Sequence, residues 1–309
     1  MISRRNIRVK VMQTLYTCFT REGDITKDEA LRTLDKHLDQ SRQLFIFLIH
    51  FLTEVARYAE IDARQKASKH LPTAEDLNVN TKIAGNTVLW QILENNSYNA
   101  VKKELKPELI DTGDWIKKIY TELVESDLYK QYISKPLREK KEEKDILEFI
   151  FTDLMLPNED FVSFVEESFL HWEDDCEMMN LLMLSFIQKP ASGDFQQFVN
   201  GEKMKFAKDL LISVIEKEEV CTSYVKGKLQ NWDPERTAAL DMILMRMGIC
   251  EFLFFETIPP KVTINEYIDL AKDYSTPQSG HFVNGILDSI HKDLASQNKL
   301  HKISFKKSQ

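Results

Sequence analysis

Arg4, Arg5 and Arg8 lie close together near the start of the chain, and Tyr16 follows about two helical turns beyond Arg8. A guanidinium offers a planar fork of N–H donors to phosphate oxygens, and an aromatic ring beside it can stack an unpaired base. The chemistry these residue types could do is to hold a phosphate and stack an unpaired base. Residues 4–19 read as one amphipathic helix with Ser3 as its N-cap. Ile7, Val11, Leu15 and Cys18 make its apolar stripe; at about 100° per residue, Arg5, Arg8, Met12 and Tyr16 fall on the adjoining flank. Two plainer readings compete: the arginines as a solvated helix start, and Tyr16 as a core residue with a polar tip. Cations at a helix N-terminus oppose its macrodipole, however, so these arginines need a further reason to be there.

Catalytic patterns are missing. The sequence holds no G-x-x-x-x-G-K-S/T, no G-x-G-x-x-G and no H-E-x-x-H, and its nine glycines are too scattered to cradle a phosphate. Glu167, His171, Glu173, Asp174 and Asp175 come nearest to a metal set, and they read as a solvated acidic corner at a helix start. Cys18, Cys176, Cys221 and Cys250 form no C-x-x-C pair, which predicts reduced core thiols. The expectation is a non-enzyme with no cofactor and no metal.

Helices must position the basic residues. With 9 Gly and 9 Pro in 309 residues, and long breaker-free stretches of helix formers, the chain is expected to be all-α. No stretch approaches a membrane span, and the N-terminus lacks the apolar run of a signal peptide, so a cytoplasmic location is expected. The net charge is −8, yet residues 1–21 carry Arg4, Arg5, Arg8, Lys10 and Arg21 with no acid, and the tail carries Lys299, Lys302, Lys306 and Lys307. Basic ends on an acidic body can hold phosphate locally, because charges beyond about 8–10 Å are screened.

Periodicity predicts helices over about 27–38, 42–69, 87–104, 113–132, 143–155, 158–169, 173–187 and 203–230. The mixed-sign run Arg138–Asp145 reads as a solvated face or connection. Asp233-Pro234 reads as a helix start, Thr263 to Glu266 as a capping box, and Thr276-Pro277 as the opening of the last helix. Ser163-Phe164-Val165 with Trp172 recurs as Ser223-Tyr224-Val225 with Trp232, a hint of partial duplication. Asn284-Gly285 reads as close helix packing or a side-chain-to-backbone bond.

Two segments carry a family resemblance. Ser3-Arg4-Arg5-Asn6-Ile7-Arg8 with Met12-Gln13-Thr14-Leu15-Tyr16 resembles the opening of the NusB family. Asn231-Trp232-Asp233, Arg246 and the run from Ile258 through Leu270-Ala271-Lys272 to Ser279–Asp288 resemble its C-terminal signature (I-P-P-K-V-x-I-N-E, L-A-K, F-V-N-G-x-L-D). The chain departs in length. The division expected is residues 1–40 and 203–309 as a NusB-like helical bundle, with 41–202 as an inserted helical region.

The resemblance implies a transcription antitermination factor that binds the boxA element of ribosomal RNA transcripts. Its implied partners are the ribosomal protein NusE and an antitermination complex on RNA polymerase. Arg4, Arg5, Arg8, Gln13 and Tyr16 would face RNA, with Tyr274, Gln278 and Phe282 near the same surface; Asp241 would face NusE. Gln278 stands where the family commonly has a carboxylate. The alternatives are a NusB-fold scaffold without RNA binding and a ribosome-biogenesis factor. A NusB-like domain preceding a ribosomal RNA methyltransferase is a poorer reading, since the sequence stops soon after the signature.

Overall fold

The computed structural model describes residues 2–21, 26–229 and 238–303. Among them every regular element is helical, with fifteen α-helices, so the all-α expectation holds. No described helix is long and apolar enough to cross a membrane. The chain divides into two compact units: residues 2–38 with 199–309, and residues 39–198. The Lys27–Ala67 helix begins in the first and ends in the second.

In the unit formed by the two ends of the chain, the Arg4–Thr20 helix packs against Gly201–Glu216 and Ala239–Phe254. Ala239–Phe254 is its central element: Ile243, Leu244, Met245, Met247, Ile249, Cys250 and Phe252 are all buried, on every side of the helix. Such all-round burial requires neighbours on all faces. Glu218–Lys226, Pro260–Tyr274 and Ser279–Ser296 supply them. Gly248 lets Ser279–Ser296 approach, since a Cβ there would lie 3.0 Å from Leu287.

The 39–198 unit has an aromatic core. Phe51 meets Phe161 at 4.7 Å between ring centres, and Phe186 meets Phe195 edge-on at 4.9 Å. Its stretch from Asp145 to Gln188 holds eleven Asp or Glu and no Lys or Arg.

Several sequence expectations need correction. The helices expected at 27–38 and 42–69 are one, because Asp39-Gln40-Ser41 contains no breaker and Arg42 reaches back to Asp39 at 2.9 Å. Those expected at 87–104, 113–132 and 203–230 are each split. Asn95 and Ser126 cap new helices by accepting from the Tyr98 and Tyr129 amides, and Lys217 leaves helical geometry. The mixed-charge run is not wholly solvated: Glu143 is fully buried, bonded to Tyr132 at 2.7 Å and Arg138 at 3.1 Å. The last helix starts at Ser279, whose hydroxyl accepts from the Thr276 amide at 3.2 Å. Asn284 and Gly285 are exposed, and nothing approaches a Cβ built on Gly285. Asp233-Pro234, Lys306, Lys307 and Trp232, the last residue of the possible repeat, lie outside the described residues.

Candidate nucleic-acid interface

The Arg4–Thr20 helix starts as expected. Ser3 has extended geometry and its hydroxyl accepts from the Asn6 amide at 3.1 Å. Ile7, Val11, Leu15 and Cys18 are buried. The buried face is broader than the apolar stripe, however. Met12 and Arg8 are each only 2% exposed, so the flank drawn through Arg5, Arg8, Met12 and Tyr16 is divided between interior and solvent.

Arg8 binds Glu251 through two bonds, Nε to Oε1 at 2.7 Å and Nη2 to Oε2 at 3.2 Å, and lies 3.3 Å from Glu266. Thr263 Oγ1 donates to Glu251 at 2.9 Å and the Tyr267 hydroxyl at 2.8 Å. The guanidinium also lies over the Phe206 ring at 5.4 Å. Burial opposes its charge, but Glu251, Tyr267 and Glu266 together outweigh burial and hold Arg8 above the ordinary arginine range. Burial, and then Glu251, push the Tyr267 hydroxyl well above the usual tyrosine range.

This network corrects the capping-box reading. Pro260 occupies the first turn of Pro260–Tyr274 and starts that helix, so Thr263 and Glu266 already lie inside it. Sequence reasoning missed Glu251 and Glu266 as Arg8 partners, and Thr263 and Tyr267 as partners of Glu251. The available signal was Glu251, a lone acid within the apolar run Gly248–Phe255.

Arg4 and Arg5 are half-exposed. Arg4 pairs with Glu202; Arg5 pairs with Asp273 at 2.8 Å and reaches Asp269 at 3.7 Å. These carboxylates answer the macrodipole objection, because the cations join the first helix to Gly201–Glu216 and Pro260–Tyr274. Tyr16 is 47% exposed and Gln13 half-buried. Tyr274 directly follows the Arg5 partner Asp273 and is half-buried. Gln278 is exposed, and Phe282 is half-buried in the first turn of Ser279–Ser296. The structure thus brings Arg5 to the helix end that carries Tyr274.

Asp241 is 5% exposed. Its Oδ2 accepts from Ser279 at 2.8 Å, and its Oδ1 is buried without a hydrogen bond among the described residues. Among the described residues no group of His, Cys, Asp or Glu could hold a metal ion.

Comparison with known proteins bears on what this arrangement belongs to. Residues 185–292 match the model of the NusB family. Over 97 residues the chain is 43% identical to the transcription antitermination protein NusB of Salinibacter ruber, covering 31% of this chain and 61% of that protein. Over 100 residues it is 42% identical to the protein of that name from Chloroherpeton thalassium, covering 31% and 47%. Over 96 residues it is 35% identical to that of Finegoldia magna, covering 31% and 70%. Among solved structures, T. maritima NusB is similar at 29% identity and a TM-score of 0.31, over 42% of this chain and 86% of that one. The chain spans less than two thirds of the first two relatives' own length. With the Finegoldia relative matched over 70% of its length, the chain belongs to the NusB family.

Proposed function

We propose that the chain is a transcription antitermination factor. In this reading it binds single-stranded, boxA-like RNA of ribosomal RNA transcripts together with ribosomal protein NusE, in an antitermination complex on RNA polymerase. It works in the cytoplasm and catalyses no reaction. The names of the relatives support the process. One observation supports the RNA surface: Arg4 and Arg5 are the accessible arginines and Tyr16 the exposed ring on the Arg4–Thr20 helix, and Arg5 sits beside the end of Pro260–Tyr274. Arg4, Gln13, Tyr274, Gln278 and Phe282 would extend this surface. Arg8 would act from behind it, fixing the helix through Glu251. Asp241 would act on NusE binding indirectly, by setting the position of Ser279. Fluorescence anisotropy with a labelled boxA-like strand, with and without NusE, tests the reading. Binding that tightens with NusE is expected; no binding under either condition would reject it.

A second reading, a scaffold of this family without RNA binding, is favoured by a specific observation. Arg4, Arg5 and Arg8 each already hold a carboxylate of the same unit. RNA must displace Glu202 and Asp273 to use Arg4 and Arg5. Exposed pairs of that kind are worth only about 0–1 kcal/mol, which a phosphate can exceed.

A further inference from the structure

Cys221 on Glu218–Lys226 and Cys250 on Ala239–Phe254 face each other with their sulfurs 3.5 Å apart, and both side chains are fully buried. A disulfide bond is about 2.05 Å long, so the sulfurs need to close by about 1.5 Å. The hydrogen bond they share shifts the two thiols in opposite directions. The hydrogen bond from Cys250 lowers the Cys221 thiol against the opposing effect of burial, with Arg246 and Lys217 assisting, while the same bond and burial raise Cys250. Arg246 is held in place by Glu218 at 2.9 Å and Thr222 at 3.0 Å.

We propose that Cys221 and Cys250 form an oxidation site, which a peroxide converts into a disulfide tying these two helices together. In the first step Cys221 sulfur bonds to a peroxide oxygen and the O–O bond breaks, giving a Cys221 sulfenic acid and one water. In the second, Cys250 sulfur bonds to Cys221 sulfur, the S–O bond breaks, and a second water leaves with the Cys250 proton. Two thiols lose two electrons in total and one hydrogen peroxide gains them. Hydrogen peroxide is close to water in size, and its access to this buried pair requires a local opening of Glu218–Lys226, a helix of nine residues.

The full chain, first reduced and then titrated with hydrogen peroxide, tests this. The half-buried Cys176 serves as the internal comparison. Non-reducing peptide mapping should show a Cys221–Cys250 cross-link, about 2 Da lighter than the two thiol peptides and reversed by dithiothreitol. It should form before Cys176 reaches the sulfinic acid. Cys250→Ser should leave a sulfenic acid on Cys221 that a 1,3-diketone traps, whereas Cys176→Ser should leave the cross-link unchanged. If Cys221 and Cys250 still alkylate as free thiols, after unfolding, when Cys176 is already sulfinic, the proposal fails. That result needs only the wild-type chain, so a variant that does not fold leaves the test intact.

Discussion

A guanidinium buried as deeply as Arg8 costs several kcal/mol unless a carboxylate and further hydrogen bonds go with it. Glu251, Thr263 and Tyr267 provide them. Removing the cation strands the buried Glu251 charge, so Arg8→Ala should destabilise the chain by about 3–5 kcal/mol in urea unfolding. Arg8→Lys should also be costly, since an ammonium cannot make the two-bond contact. Arg5→Ala, at a half-exposed pair, should change stability by no more than about 1 kcal/mol. Similar losses at both positions would refute this division of labour. A helical wheel groups Arg8 with Arg5 because it records direction around one helix. It does not record how wide a face the Ala239–Phe254 and Pro260–Tyr274 helices cover, and that width separates the two arginines.

At the scale of elements, helix starts marked by a side-chain cap or an early proline are partly legible in the sequence. Ser3 caps the first helix and Pro260 opens another. Thr263 to Glu266 misleads, since the residues of a capping box suit an interior ion network equally well. Breaks that rest on one Asn, Ser or Lys, such as Asn95, Ser126 and Lys217, leave almost no trace in periodicity. Two glycines separate the packed and open parts of the fold. Gly285 lies inside a helix with open space at its Cβ position, so Gly285→Ala should stabilise by about 1 kcal/mol. Gly248→Ala presses on Leu287 and Tyr267, and should destabilise by about 1–3 kcal/mol. Thermal unfolding of the two variants should shift in opposite directions; equal shifts would contradict the packing described. If Gly285→Ala is more stable yet binds NusE or RNA less tightly, the exposed Asn284-Gly285 strip is part of a contact surface.

For the whole molecule, the two ends of the chain form one unit although about 160 residues separate them. The all-α class is legible from composition. The role of the intervening unit is not, because the 185–292 family match leaves most of it uncovered. Its Asp145–Gln188 stretch, acidic without a compensating base, is a poor surface for phosphate. RNA affinity should therefore reside in residues 2–38 and 199–309. NusE and RNA should bind cooperatively, and linkage requires the same factor whichever ligand binds first. Isothermal titration in both orders checks this. Unequal factors would mean that a third equilibrium, such as self-association, intervenes.

The most direct measurement is a salt titration of binding to a single-stranded boxA-like RNA, comparing the wild type with an Arg5→Ala/Tyr16→Ala double variant. Arg8 is left in place because losing it would destabilise the surface under test. If Arg5 neutralises a phosphate, the slope of log affinity against log salt should fall by up to about 0.7. Loss of the Tyr16 ring should weaken binding by about 1–3 kcal/mol at every salt concentration, and a Tyr16→Phe variant should retain most of that. Equal slopes and equal affinities for wild type and double variant would show that the Arg4–Thr20 helix is not the RNA surface, and would favour the scaffold reading.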